Sequence, residues 1–257
     1  MNATRTTSTS WPKLWTRAHK EHISYLPTAL NEYEEFVKKL DFTNLRVVVD
    51  VGAGSGLSSV PLARSKCYVV LVDISASALH LARELYKEMG LRGFADLVLA
   101  DAFHLPFRDK SADLALSWGL LEHFKPEDSV RIVKEKLRIG KMIMEIVPYR
   151  RCIGYSIAKR LAKLLNRRWP YGDEVERDYE ELEILREVVV AGCNVKCLKR
   201  FGRSFGVGFL ISVIASDPLS YRKALSKHPL LERAAFALCK LMSMLAKSHD
   251  NLVVVGA

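Results

Sequence analysis

The residues best suited to chemistry lie at positions 47–56, which read VVVDVGAGSG. An apolar, β-branched run leads directly into glycines at positions 52, 54 and 56. Glycine adopts positive φ angles and lets backbone N–H groups approach a ligand closely, and a helix beginning near Leu57 would point its positive end at the same place. The pattern predicts a turn that holds a nucleotide-like ligand, although a glycine-rich turn after a strand can also be purely structural.

The spacing of these glycines excludes two common nucleotide loops. The dinucleotide fingerprint G-x-G-x-x-G requires a glycine at position 57, which is Leu57 here, and a phosphate loop requires a lysine after Gly56. Instead, Asp50 precedes the first glycine by two residues. A carboxylate at this point would repel a pyrophosphate and attract an ammonium or a sulfonium. The ligand predicted for this turn is therefore cationic near Asp50.

Two further acids follow later apolar runs. Asp73 ends the second run, 21 residues after Gly52, where a carboxylate can accept both hydroxyls of a ribose. Asp101 follows the third run, where it can accept from an exocyclic amino group such as that of adenine. An ammonium acceptor, a diol acceptor and an amine acceptor together make the set needed to hold S-adenosylmethionine (SAM).

Alternating strands and helices must bring these acids together. Strand-like runs are predicted at 46–51, 67–73, 95–100, 112–118 and 141–147, and helical spacing of apolar residues at 75–89 and 126–137. This alternation is typical of βαβ units with a parallel sheet. A further helix is predicted at 178–191, and strands at 194–201 and 251–257. Helices are expected in the first 40 residues, lying across the domain.

Three motifs resemble those of the class I SAM-dependent methyltransferases: VVVDVGAGSG, VVLVDIS and LVLADAFHLPFRDKSADLALSWGLLEHF. Within that superfamily the pattern is most similar to the small-molecule branch of the ubiquinone/menaquinone-biosynthesis type. The resemblance covers about residues 45–150. It implies an α/β, Rossmann-like, seven-stranded and mostly parallel sheet with an antiparallel last strand, helices on both faces and a helical cap. It also implies SAM as cofactor and S-adenosylhomocysteine (SAH) as product.

A candidate for acting on the acceptor follows from its position in the chain, and the cofactor-binding residues follow from the resemblance. His123 follows the fourth strand and is the candidate general base, although a histidine there can equally cap or pack the start of a helix. Methyl transfer from a sulfonium needs mainly alignment and exclusion of water, so few catalytic groups are required. The implied cofactor-binding residues are Asp50, Gly52, Ala53, Gly54, Gly56, Asp73, Ile74, Asp101, Ala102 and Trp118.

Composition and length set the domain organisation. The 257 residues are 49% hydrophobic, which excludes intrinsic disorder and supports a sizeable core. We expect an N-terminal helical extension at 1–45 and a SAM-binding domain at 46–257, with helical cap additions at about 149–177 and 203–249. The longest uncharged runs have 13 residues, fewer than the roughly 20 that span a bilayer, which favours a cytoplasmic protein. The five cysteines are expected to be reduced thiols, and no metal site is predicted.

The positive charge is concentrated in two segments. Residues 149–170 carry seven basic and no acidic side chains, and residues 199–249 carry nine and two, against a net charge of +10 for the whole chain. The leading hypothesis is methylation of a small, apolar or amphiphilic acceptor beneath the cap. RNA methylation and a non-catalytic SAM-binding module remain alternatives, since the basic segments could bind RNA or an anionic membrane surface. A cap that only covers its own apolar face remains open too.

Overall fold

A computed structural model describes residues 44–152, 177–201 and 251–257, together with the single residues 34, 37, 160 and 164. The described part forms one seven-stranded sheet in the order β3-β2-β1-β4-β5-β7-β6. The last strand, β7, runs antiparallel to both of its neighbours, β5 and β6, and all other strand pairs are parallel, which confirms the predicted fold. Every predicted strand boundary lies within one residue of the observed one. The strands are β1 Val47–Val51, β2 Tyr68–Asp73, β3 Ala95–Leu99, β4 Ala112–Trp118, β5 Gly140–Pro148, β6 Val195–Phe201 and β7 Asn251–Gly256.

The central strands are apolar on both faces because helices cover both sides of the sheet. In β1, Val48 belongs to the core on one face and Val49 to the core on the other. The first core also contains Leu85 from the helix after β2, and the second contains Ile132 from the helix after β4. The helices therefore hold the ends of the strands in place from both faces of the sheet, which fixes the position of the loops that follow the strands.

Four α-helices are described, and the caps expected for one of them are present. The Ser75 hydroxyl accepts from the Ala78 N–H at 3.3 Å, and Gly90 follows the end of that helix with φ +69°. The helix expected near Leu57 is only a 3-10 turn at Leu57–Ser59 followed by a five-residue helix, so its dipole contributes little to the glycine turn. The helices are α1 Val60–Arg64, α2 Ala76–Glu88, α3 Pro126–Ile139 and α4 Glu181–Val190.

The N-terminal extension and the cap additions lie mostly outside the described residues. Glu34 and Val37 are helical, Glu34 pairs with Arg64 at 2.5 Å, and Val37 packs against the core. The predicted arrangement of the N-terminal extension stays a prediction. Arg160 and Leu164 are helical as well. Among the helices that the structure describes, none has the length and apolarity to cross a membrane.

The cysteines that the structure describes form no disulfide bonds. Cys67, Cys152 and Cys193 are buried, and Cys197 is partly exposed, whereas Cys239 lies outside the described residues. Within the described ranges, no cluster of three or more histidine, cysteine or acidic side chains could hold a metal ion.

Candidate cofactor site

The candidate site lies at the carboxyl ends of β1, β2 and β3, which are adjacent strands of the sheet. Asp50 is the penultimate residue of β1, Asp73 ends β2, and Asp101 comes two residues after β3. The strand order reverses between β1 and β4, and ligands of open α/β sheets bind in the crevice at such a reversal. The structure therefore brings the three predicted acids to one edge of the sheet.

The glycine turn bends sharply after β1. Gly52, Gly54 and Gly56 have φ angles of +73°, +56° and +69°, values that only glycine adopts without strain. A Cβ atom on Gly52 would lie 2.7 Å from Leu120 Cδ1, because the loop after β4 packs directly on the turn. The Tyr86 hydroxyl donates to the Gly56 carbonyl at 3.1 Å and holds the other end.

Four backbone N–H groups of this turn donate hydrogen bonds to other groups of the protein, contrary to the expectation that they face the ligand. Gly52 and Ala53 both donate to the Val72 carbonyl, at 2.8 and 3.0 Å, and Gly56 donates to Ala53 at 2.8 Å. Gly54 donates to Asp73 Oδ2 at 2.8 Å. The sequence could not show that β2 would take these donors. A turn whose donors are occupied suits a cation at the neighbouring acids better than a phosphate.

Asp50 is a buried acid with an unfilled acceptor. Its side chain is 1% exposed, and Oδ2 accepts from the hydroxyls of Ser59 at 2.6 Å and Ser58 at 3.4 Å. Oδ1 has no hydrogen-bond partner among the described residues. Burial raises the pKa of Asp50 to about 6, against the opposing effects of Ser59 and Lys136. A bound ammonium would fill the open oxygen and stabilise the charged form, so Asp50 fits the cationic part of SAM.

Asp73 is held in one orientation by main-chain donors. Oδ2 accepts from Gly54 N–H, and Oδ1 accepts from Ser75 N–H at 2.8 Å. Burial raises the pKa of Asp73, and these backbone hydrogen bonds oppose the rise. A carboxylate has about four acceptor positions, so each oxygen keeps one for a further donor. This geometry fits a pair of ribose hydroxyls.

Beside Asp73, two large apolar side chains are exposed at the edge of the sheet. Ile74 is 51% exposed, and Leu99, the register partner of Asp73 in β3, is 62% exposed. Asp101 lies two residues beyond Leu99, is partly buried with its neighbour Ala102, and accepts from Phe103 N–H at 3.0 Å. An apolar surface next to an acceptor fits a purine ring and its amino group. Sequence reasoning missed Leu99, which reads as an ordinary strand residue.

The loop after β4 lies at the same edge. Trp118 ends β4 and is partly buried, and a 3-10 turn at Leu121–His123 follows. His123 is partly buried, and its backbone N–H donates to Leu120 O at 3.2 Å. The role of His123 as a base stays a prediction. In the same region, Phe103 and Phe124 form an edge-to-face pair at 5.5 Å, which joins the loops after β3 and β4 and was not predicted.

Three other polar residues near strand ends take different positions. His104 is exposed, and Tyr149 is 3% exposed at the end of β5. Asp113 accepts from the N–H groups of Arg46 and Val47, both at 3.0 Å, at the opposite end of β1. Hydrogen bonds from Lys141 and Val47 hold the pKa of Asp113 at about 2. Asp113 is therefore a structural residue that caps the start of β1.

Acidic residues of the β5–β6 connection partly neutralise the two basic segments where they are described. Arg150 pairs with Glu183 at 2.8 Å, and Arg151 with Glu180 at 3.3 Å. Arg200 pairs with Glu181 at 2.5 Å. These arginines contribute less to an anion-binding surface than their number suggests.

The part of the chain that forms this site matches a known protein family. Residues 48–142 match the family model described as "Methyltransferase domain". This part of the chain is therefore similar to a methyltransferase domain. The matched range begins in β1 and ends in β5, so it includes the glycine turn, the three acids and His123. The resemblance inferred from the sequence motifs is thereby confirmed.

A demethylmenaquinone methyltransferase from Streptomyces avermitilis is 32% identical over 108 residues, 42% of this chain and 43% of that protein. The chain spans about two-fifths of the length of the curated relatives it matches. Two solved structures share the fold. The [4+2]-cyclase SpnF has a TM-score of 0.59 and 18% identity, covering 88% of this chain and 80% of that one. Magnesium protoporphyrin IX methyltransferase from Synechocystis PCC 6803, with bound SAH, has a TM-score of 0.54 and 16% identity, covering 76% and 89%.

Proposed function

We propose that the chain is a SAM-dependent methyltransferase that transfers a methyl group to a small, apolar or amphiphilic acceptor. The observation that carries the proposal is the meeting of Asp50, Asp73 and Asp101 at one edge of a methyltransferase domain. Within the described residues none of the three forms an ion pair with a basic side chain. They are therefore available to the ammonium, hydroxyl and amino groups that SAM carries.

Each acid has a proposed part in binding. Asp50 takes the ammonium of the methionine part, Asp73 takes the ribose hydroxyls, and Asp101 takes the adenine amino group. Ile74 and Leu99 cover a face of the adenine ring. The other residues proposed to line the cofactor are Gly52, Ala53, Gly54, Gly56, Ala102 and Trp118.

The chemistry asks little of the protein beyond alignment. When bound, SAM supplies a methyl group on a sulfonium, an already activated leaving group. The chain holds the acceptor in line with that methyl group and excludes water. If the acceptor atom is a hydroxyl oxygen, His123 takes its proton as the new bond forms. If it is a neutral amine or a carbanion, the step needs no base.

The acceptor class follows from the surface near the methyl-transfer position. Leu120, Phe103 and Phe124 place apolar groups around the loop that carries His123. The relative named above acts, by its name, on demethylmenaquinone, an apolar acceptor. RNA as acceptor is less favoured, because acids of the chain itself already pair with Arg150, Arg151 and Arg200.

Turnover is the required test, because the fold also supports a [4+2]-cyclase. The purified protein is incubated with methyl-labelled SAM and separate lipid-soluble, water-soluble small-molecule and RNA fractions of a cell extract. We expect SAH and a labelled product from a small-molecule fraction. Product from the RNA fraction alone would establish RNA methylation instead. SAM binding without SAH from any fraction would establish a non-catalytic module.

A matched set of substitutions tests the acids separately. Asp73→Asn should weaken SAM binding about tenfold to a hundredfold, since hydrogen bonds to charged groups are among the strongest. Asp101→Asn should cost about threefold to tenfold. Asp96→Asn is the control, because Asp96 is exposed on β3 five residues before Asp101, and it should stay within about twofold. Equal losses in all three variants, measured by calorimetric titration, would contradict the assignment.

A further inference from the structure

A polar cluster outside the cofactor site centres on Arg177, in the connection between β5 and β6. The Arg177 guanidinium donates to Glu187 Oε1 at 2.8 Å, contacts the Tyr179 hydroxyl, and lies 4.6 Å from the centre of the Tyr179 ring. Glu187 is 6% exposed and the Arg177 side chain 23%. Neither belongs to a motif that the sequence singled out. Charged groups this well shielded from water interact more strongly than a surface pair.

The same arginine holds the main chain of the loop after β4. Its backbone N–H donates to Glu122 O at 2.9 Å, and its Nη2 donates to Leu121 O at 3.3 Å. Nη2 also donates to the Ser129 hydroxyl at 2.9 Å, at the start of α3. One residue thus joins three points of the segment from the 3-10 turn to α3, the segment that carries His123.

The cluster is itself fixed to the end of β5. Tyr179 N–H donates to Pro148 O, and Arg150 N–H donates to Tyr179 O, both at 2.9 Å. The Tyr179 side chain is 1% exposed, and its hydroxyl lies 2.8 Å from Glu187 Oε2 and 3.3 Å from Leu121 O. Arg177 is therefore presented to the loop by a rigid strand end.

The loop that Arg177 holds is the one that packs on the glycine turn. Leu120 immediately precedes the anchored carbonyl of Leu121, and its side chain lies against Gly52. We propose that Arg177 is a positioning residue that sets this loop against the glycine turn, so that SAM affinity depends on a side chain of the β5–β6 connection that does not touch SAM. The ligand in this inference rests on the proposed function, but the positioning of the loop does not.

A purely structural arginine would stabilise the fold without changing the affinity of the folded protein. The test therefore measures SAM binding by calorimetric titration and amide hydrogen exchange of residues 119–124 without ligand. Arg177→Ala is compared with Arg200→Ala, which removes an exposed arginine paired with Glu181 on α4. We expect about tenfold weaker SAM binding and faster exchange for Arg177→Ala, and changes within about twofold for Arg200→Ala.

Two outcomes would overturn the inference. One is an Arg177→Ala protein that binds SAM as the wild type does; the other is exchange at 119–124 no faster than in Arg200→Ala. If Arg177→Ala does not fold, Tyr179→Phe takes its place, because it removes only the hydroxyl and should give about threefold weaker binding and faster exchange in the same loop. Unchanged binding and exchange in Tyr179→Phe would then overturn the inference. A wild type that binds no SAM would refute the proposed function, and the exchange comparison would still decide the role of Arg177.

Discussion

The strand order reverses between β1 and β4 and so divides the sheet into two sides. Buried acids on these two sides differ in whether a basic side chain pairs with them. On the β1–β3 side, Asp50 and Asp73 are buried and form no ion pair within the described residues. On the β4–β6 side, Glu145 and Glu187 are equally buried, but Lys136 lies 2.7 Å from Glu145 and Arg177 lies 2.8 Å from Glu187. Both sides contain expensive buried charge. Only on the β4–β6 side does a basic side chain of the described residues form an ion pair with each buried acid.

The difference separates charge that builds the fold from charge kept for a ligand. Lys136 is fully buried and also donates to the Ser117 hydroxyl at 3.0 Å and the Met144 carbonyl at 3.3 Å, so it ties α3 to β4 and β5. Asp50 forms no ion pair within the described residues, and burial raises its pKa to about 6 although the more distant charge of Lys136 opposes the rise. A site that lowers stability when empty is typical of function.

The largest loss of stability is expected when the buried ion pair between Lys136 and Glu145 is broken. Lys136→Met keeps much of the side-chain volume but leaves Glu145 buried without its cation. Removing one partner of a buried pair costs about 3–5 kcal/mol of unfolding free energy. Urea unfolding measures the loss.

Two further variants complete this test. Lys141→Met removes a lysine that is 62% exposed from its pair with Asp113 and should cost at most about 1 kcal/mol. Adding Glu145→Gln to Lys136→Met should recover part of the stability, because no unpaired charge remains. A loss in Lys136→Met no larger than in Lys141→Met would show that the buried pair contributes nothing.

Removing the charge of Asp50, which forms no ion pair within the described residues, should raise the stability of the protein. The pKa of Asp50 is raised from 3.8 to about 6 in the folded protein, so the folded state binds the proton more tightly than the unfolded chain. The contribution of Asp50 to the stability of the ligand-free wild type should therefore fall as pH rises from about 4 to about 6, and stay lower above that. Asp50→Asn lacks this fall and should be about 1–3 kcal/mol more stable at pH 7.5.

Unfolding of Asp50→Asn and wild type at pH 4 and pH 7.5 checks this prediction. The stability difference should be small at pH 4 and full at pH 7.5. A variant that is less stable than the wild type at pH 7.5 would mean that Asp50 is a structural acid, and the contrast between the two sides would not hold.

The smallest effect concerns the rigidity of the glycine turn. Tyr86→Phe removes the hydroxyl that donates to Gly56 O and leaves that buried carbonyl without this donor. The expected cost is about 1 kcal/mol of unfolding free energy and a modest loss of SAM affinity. Tyr68→Phe, at an exposed tyrosine of β2, is the control for the same chemical change. Equal effects of the two variants would show that the bend needs no support from α2.

The sequence predicted the sheet and its acids because those signals are local. Buried strands are continuous apolar runs, and Asp50, Asp73 and Asp101 each follow or end such a run. The contacts made by Arg177 could not be predicted, since Leu121 is 56 residues away along the chain. Lys136 occupies a helix position that local pattern reads as polar surface. The occupied N–H groups of the glycine turn depend on pairing with β2, which only the fold determines.

We infer that Asp50 is partly protonated in the ligand-free protein and becomes ionised when a cationic ligand binds. At pH 6, about half of the ligand-free protein carries a proton on Asp50, given its pKa of about 6. A bound ammonium lowers that pKa, so titration with SAM in buffers of different ionisation enthalpy should show release of about half a proton per SAM bound. Asp50→Asn should release none. SAM binding by the wild type with no proton release at pH 6, or with the same release in Asp50→Asn, would show that Asp50 does not bind the ammonium of SAM.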